Sequence, residues 1–197
     1  MLQGVPVKTL YRFRGIVLGL LAVLLWFVPP TEQGIPASAG VLALVGFVVR
    51  VEARRVIGEH TRGAEQEAPR LVTEGIYSRI RHPLYLSNLC FCYAFALFHL
   101  GLSLKALAFA VLVTLFEYGL SRSEDYFLKK RFGDSFDEWK KTAPMFIPQI
   151  RVANAPSAFK RSALAAFFAD RWTWLWLLFY TLSLILRRQL DLPFAFG

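Results

Sequence analysis

Apolar residues gather into five runs along the chain, at about Leu10–Val28, Ile35–Val51, Leu84–Leu100, Leu104–Leu120 and Trp172–Leu186. Each approaches the ~20 residues an α-helix needs to cross a hydrocarbon core. The runs lack the strict alternation of a barrel strand, and open strand edges cannot be satisfied in lipid, so helices are predicted. Pro29-Pro30 and Gly34 interrupt the chain after the first run, and Gly101-Leu102-Ser103 makes a tight turn between the third and fourth. The pattern predicts an all-α integral membrane protein of about five transmembrane helices, forming a single domain over 1–197. Within it, 1–56 carries the first two spans. Residues 57–150 form a core built from a helical hairpin and a small cytoplasmic cap, and 151–197 supply a surface helix and a fifth span.

Finer signals fill in the cap. Phe132-Gly133 is expected to end the helix that starts in the fourth span, with Gly133 as its stop. Asp134–Lys141 reads as a short amphipathic helix closed by Pro144 and Pro148, and Ser157–Phe168 as another on the surface. Lys8, Arg12 and Arg14 before the first run, and Ala37-Ser38-Ala39 after it, have the ingredients of a secretory signal. The small residues stand too far beyond the run for the usual cleavage arrangement, so a retained first helix is expected.

Composition agrees with the membrane assignment. The hydrophobic fraction is 55% and the mean hydropathy +0.42, above the usual range for a soluble domain. A net charge of +9 would raise nucleic-acid binding in a soluble protein. Here the basic residues lie between apolar runs and no nucleic-acid reader motif accompanies them, so membrane lipids are the expected surroundings and no nucleic-acid partner is expected. The N-terminus and the Arg50–Arg81 and Arg122–Arg171 segments are basic, whereas Pro29–Pro36 and Gly101–Ser103 have no Lys or Arg. That asymmetry predicts a multi-pass protein, of a prokaryotic inner membrane, with the basic ends in the cytoplasm. Cys90 and Cys92 are two apart inside a run, point to different helix faces and are read as packing residues. No metal-ligand spacing occurs, and no metal is expected.

Candidate chemistry concentrates where polar residues meet the third run, in Tyr77-Ser78-Arg79-Ile80-Arg81-His82-Pro83-Leu84-Tyr85. Pro83 drives His82 from helical dihedrals and suits the first turn of the next helix. The span should therefore begin at Pro83, with free N–H groups and Arg81 offering a site to a carboxylate or phosphate. Counting from the turn at Leu102, His82 and Arg122 both lie 20 residues away. At ~1.5 Å per residue each stands about 30 Å from the turn, so Glu124 and Asp125 should sit beside His82. Such a pairing suits a zwitterion. Glu117, inside the fourth run, shares a helix face with Glu124, and a carboxylate within a span is costly enough to suggest a purpose.

The stretch from Leu71 to Pro148 resembles the membrane methyltransferase superfamily of isoprenylcysteine carboxyl methyltransferase and the phospholipid N-methyltransferases. The resemblance rests on Leu71-Val72-Thr73-x-Gly75-x-Tyr77, Arg81-His82-Pro83-x-Tyr85, Glu124-Asp125, Phe132-Gly133 and Phe146-Ile147-Pro148. It implies S-adenosyl-L-methionine as cofactor, with Leu71 and Val72 lining the adenosine pocket and Tyr77, Arg81, His82, Tyr85 and Glu124 binding the donor. Asp125, Arg122 and Glu117 are left as substrate contacts or supports. It also implies a lipophilic or lipidated acceptor, such as a prenylated-cysteine carboxylate or a lipid amine. The chain departs from the isoprenylcysteine pattern at Leu120, where that branch carries a substrate-contacting arginine, so the acceptor stays open among carboxylate, amine and thiol. Two other function classes are weighed. An NADPH-dependent sterol-type reductase resembles the carboxy-terminal pattern but has Asn where this chain has Pro83. A non-catalytic membrane scaffold would need none of these side chains.

Overall fold

The computed structural model describes residues 11–32, 34–57, 68–149 and 159–190. The basic extreme N-terminus, the middle of the Arg50–Arg81 connection and the start of the expected Ser157–Phe168 helix lie outside these residues. The described residues form α1 (Arg14–Phe27), α2 (Ala37–Val56), a 3₁₀ turn (Gly75–Ser78), α3 (Pro83–Leu100), α4 (Leu104–Phe132), α5 (Asp134–Thr142), α6 (Ala163–Ala169) and α7 (Arg171–Gln189). No strand occurs among them. Two helices, α3 and α4, are long and apolar enough to cross a membrane. At 14 residues α1 is short of a full span.

The long helices run alternately up and down. At one end, Thr31 donates its backbone N–H to the His99 carbonyl and His99 Nε2 donates to the Val28 carbonyl at 2.8 Å, tying the ends of α1 and α3 together. At the other end, Arg50 of α2 reaches Asn88 of α3 and Asp170 before α7. Between them α2 and α3 touch closely. A Cβ on Gly46 would lie 3.0 Å from Cys90 Cβ, and Ser87 Oγ donates to the Gly46 carbonyl at 2.8 Å. A small residue at the crossing lets the backbones approach, the usual device of helices in lipid.

Several boundaries differ from the sequence reading. α2 continues past Val51 to Val56 because Arg50, Arg54 and Arg55 find partners there instead of solvent. α4, by contrast, runs on from Leu120 to Phe132 as one helix of 29 residues and is ended by Gly133 at φ 54°, as the sequence reading expects. The helix expected over Ser157–Phe168 starts only at Ala163. Ser162 caps it by accepting from the Ala165 N–H, while the Lys160 and Arg161 N–H groups donate to the Arg55 carbonyl, so the chain there hangs on the end of α2. α7 packs beside α1 and α3: Tyr180 Oη donates to the Ala22 carbonyl, and Arg188 to the Phe98 and His99 carbonyls. Arg188 thus bonds carbonyls at the end of α3, groups that a helix leaves without internal partners.

Large apolar side chains face outward on α1, α2, α4 and α7, among them Leu20, Leu44, Leu115 and Phe179, each more than half exposed. A soluble monomer rarely shows such surface, whereas lipid would cover it. Inside, one cluster of Leu25, Leu89, Leu100, Phe109 and Val113 lies toward the hairpin turn. A second, with Val56, Tyr77, Leu128, Phe136 and Trp139, lies under the polar motif and joins α2, α4 and α5 to the 3₁₀ turn.

Candidate functional site

The motif is held from below by a glycine. Gly75 has φ 57°, and a Cβ there would stand 2.6 Å from Val56 Cγ2, so only glycine lets the turn press against α2. The turn buries Tyr77, whose carbonyl accepts from Trp139 Nε1 at 2.8 Å. Burial, and after it the charge of Glu124, push the Tyr77 hydroxyl above its ordinary range, so it acts as a neutral hydrogen-bonding group. Leu71 and Val72 pack as partly buried residues against the same cluster.

Beyond the turn, the chain pairs with a strap that follows α5. The Arg81 N–H donates to the Pro144 carbonyl at 2.8 Å, the His82 N–H to Met145 at 3.3 Å, and the Gln149 N–H to Arg79 at 3.1 Å. His82 then leaves the extended path at φ −121°, ψ 60°, and α3 starts at Pro83 as the sequence predicts. The strap also delivers Phe146, with its ring 6.5 Å from that of His82; Tyr85, on the first turn of α3, stands 5.6 Å away on the imidazole.

Asp125 is the centre of the arrangement. Its Oδ1 accepts from His82 Nε2 at 2.8 Å, and its two oxygens accept from Arg81 Nε and Nη2 at 3.3 and 3.1 Å. All three side chains are buried. Arg81 Nη1 turns the other way and donates to the Ala143 carbonyl at 2.5 Å and Lys140 at 3.4 Å. The sequence reading gave Arg81 a free positive charge for an anionic guest. In the structure that charge is neutralised by Asp125, because a guanidinium buried beside a carboxylate pairs with it. Arg81 locks α4, α5 and the strap together, and the helix start itself is what remains for an anion.

Glu124 behaves differently from its neighbour. It is about one-third exposed and its Oε2 lies 3.9 Å from His82 Nδ1, on the imidazole that Tyr85 and Phe146 also approach. Tyr11, just before α1, and Tyr85 both lie within its electrostatic reach. Arg122 is exposed and is not brought to this cluster, and Leu120 is fully buried with no cation in its place. Glu117 lies two turns deeper, fully buried, where its Oε1 accepts from Asn88 Nδ2 at 3.1 Å. Asn88 and Arg50 escaped the sequence reading. The signal available was a polar residue one turn past Tyr85 inside an apolar run.

The arrangement joins both halves of the motif at the open end of one helix pair. Its family can be stated from the region that builds it. The phospholipid methyltransferase family model matches residues 36–135, which is half of the chain. The chain belongs to that family. It is 30% identical over 94 residues to a nickel-cobalt-cadmium resistance protein, NccN, of Alcaligenes xylosoxydans xylosoxydans, covering 48% of this chain and 43% of that protein. It is 32% identical over 80 residues to a protein-S-isoprenylcysteine O-methyltransferase of Schizosaccharomyces pombe, covering 41% of this chain and 34% of the relative. The chain thus spans less than half the length of either relative. No solved structure matches it.

The residues present fit the donor that the family implies. A helix start with free N–H groups suits a carboxylate. The one-third-exposed Glu124 carboxylate, at the imidazole that Tyr85 and Phe146 approach, suits the ammonium and sulfonium charges.

Proposed function

We infer that this protein is an S-adenosyl-L-methionine-dependent methyltransferase of the membrane, acting on a lipophilic or lipidated acceptor. The observation that carries the reading is the His82–Asp125–Arg81 cluster, which brings the start of α3 and the middle of α4 together inside the family-matched region. In this reading Tyr77, His82, Tyr85 and Glu124 contact the donor, Leu71 and Val72 border its adenosine, and Arg81 and Asp125 hold the others in place. When bound, the donor supplies an already electrophilic methyl group, so the protein's part is to orient and to exclude water. His82 is fixed by Asp125, the aromatic rings shield the reacting centre, and Glu124 balances the donor's positive charge. We place the Leu10–Val28 run that contains α1, together with α2, α3, α4 and α7, across the membrane, with the site end in the cytoplasm and the Pro29–Pro36 and Gly101–Ser103 connections on the far side. A lipophilic acceptor then enters sideways between helices while the polar donor enters from water.

Calorimetric titration of the purified protein tests the reading. S-adenosyl-L-methionine is expected to bind and NADPH to give no heat. Binding of NADPH alone overturns it in favour of a reductase, and binding of neither favours a scaffold.

A further inference from the structure

A chain of polar side chains crosses the bundle below the donor site. Asp170 accepts from Arg50 Nε at 2.5 Å, Arg50 Nη1 donates to Asn88 Oδ1 at 2.9 Å, and Asn88 Nδ2 donates to Glu117 Oε1. The chain stops there. Glu117 Oε2 is buried without a hydrogen-bond partner, and so is Ser121 Oγ, one turn nearer the site on the same face of α4. Both side chains are completely inaccessible to solvent. Leaving two such atoms unpaired is costly, and a structure that holds Glu117 rigidly from one side while leaving its other oxygen free is built to receive something. Arg14 and Arg50 lie in the electrostatic surroundings of Glu117, yet neither pairs with it directly.

We propose that Glu117 is the residue that selects the methyl acceptor, taking a nitrogen that carries protons and rejecting a carboxylate, with Ser121 as its second contact. This rests on the methyltransferase reading above. Glu117 and Ser121 lie seven and three residues before Glu124, about 10 and 5 Å inward along α4. A head group bound there is on the membrane side of the donor. An acceptor carboxylate would share a water-poor interior with a second carboxyl group, where the two cannot both ionise, and a thiol beside a carboxylate would be kept from ionising. An ammonium is attracted, and burial penalises both of its charged partners, so the pair can relax to amine and carboxylic acid. On transfer, the nitrogen lone pair forms the new N–C bond as the donor's C–S bond breaks with its electrons on sulfur. The proton that Glu117 Oε2 took from the ammonium on binding is what frees that lone pair, and the product leaves as the N-methylammonium ion while Glu117 gives its proton up to water. Asn88 and Arg50 act as positioning residues that aim the carboxylate.

The test uses octylamine, octanoate and octanol as head-group probes on the detergent-solubilised full chain. Without donor, octylamine is expected to raise the melting temperature relative to octanol, and octanoate is not. Glu117→Gln, which keeps the Oε1 acceptor for Asn88, should abolish that shift, and Ser121→Ala should at least halve it. With tritiated donor, methyl transfer to octylamine should fall about 100-fold in Glu117→Gln, the usual reach of a lost proton acceptor, with donor affinity unchanged. An equal or larger shift with octanoate, or an unaltered octylamine shift in both variants, overturns the proposal and leaves a hydrated polar pocket. If Glu117→Gln does not stay monodisperse, the Ser121→Ala shift alone decides. A parent that binds octylamine through Glu117 but no donor refutes the methyltransferase reading while the amine subsite stands.

Discussion

Asp125 and Glu124 are adjacent acids with separate tasks, and their surroundings make the difference. Asp125 is buried between Arg81 and His82, whereas Glu124 keeps a third of its side chain open. Removing one partner of a buried ion pair leaves the other charge stranded. Asp125→Asn is therefore expected to cost about 3–5 kcal/mol of stability, measured by denaturation in detergent, because Arg81 would be left unpaired. Glu124→Gln should leave stability within about 0.5 kcal/mol, as for a surface substitution. Equal stability losses in the two variants would contradict this division. The sequence count places both acids beside His82, and both side chains do approach its imidazole. Which of them faces inward was not legible, because it depends on the rotation of α4 about its axis.

At the level of elements, Pro83 and Gly133 mark boundaries that were readable, since each acts through its own backbone: a fixed φ in one case, a positive φ in the other. Boundaries set by distant partners were not. The extension of α2 depends on Asp170, and the late start of α6 depends on the Arg55 carbonyl, more than a hundred residues away along the chain. Asp170 also brings a pH dependence. Burial alone would raise its carboxyl, but the charges of Arg50 and Arg54 outweigh that and hold it at about 2. Its folded pKa lies below the ~3.9 of free aspartate, so its stabilisation is complete above about pH 4. It is lost as pH falls through about 2. Asp170→Asn should lower the melting temperature at pH 7, and the gap from the parent should close between about pH 4 and pH 2. A gap that stays constant across that window would remove Asp170 as the anchor of α7.

For the whole molecule, the alternating helices place Glu32 and Glu138 at opposite ends of the bundle, both exposed. In a background with Cys90 and Cys92 replaced by alanine, a membrane-impermeant maleimide on intact cells should label Glu32→Cys and spare Glu138→Cys. Labelling of both, or of Glu138→Cys alone, would refute the cytoplasmic placement of the site. The overall plan of a helical hairpin with polar residues at its open end was legible from run lengths and the Gly101–Ser103 turn. The strap over His82 was not, since its hydrogen bonds join segments more than sixty residues apart. In the proposed function one donor site is built jointly by the start of α3 and the middle of α4. Calorimetry of S-adenosyl-L-methionine with the parent, His82→Ala, Glu124→Gln and the surface control Glu138→Gln tests it most directly. Losses of about 1–3 kcal/mol in binding are expected for the first two variants, the range for a charge-assisted contact, and parent-like affinity for the control. Unchanged affinity in Glu124→Gln, or a loss equal to that of the Glu138→Gln control, would contradict it.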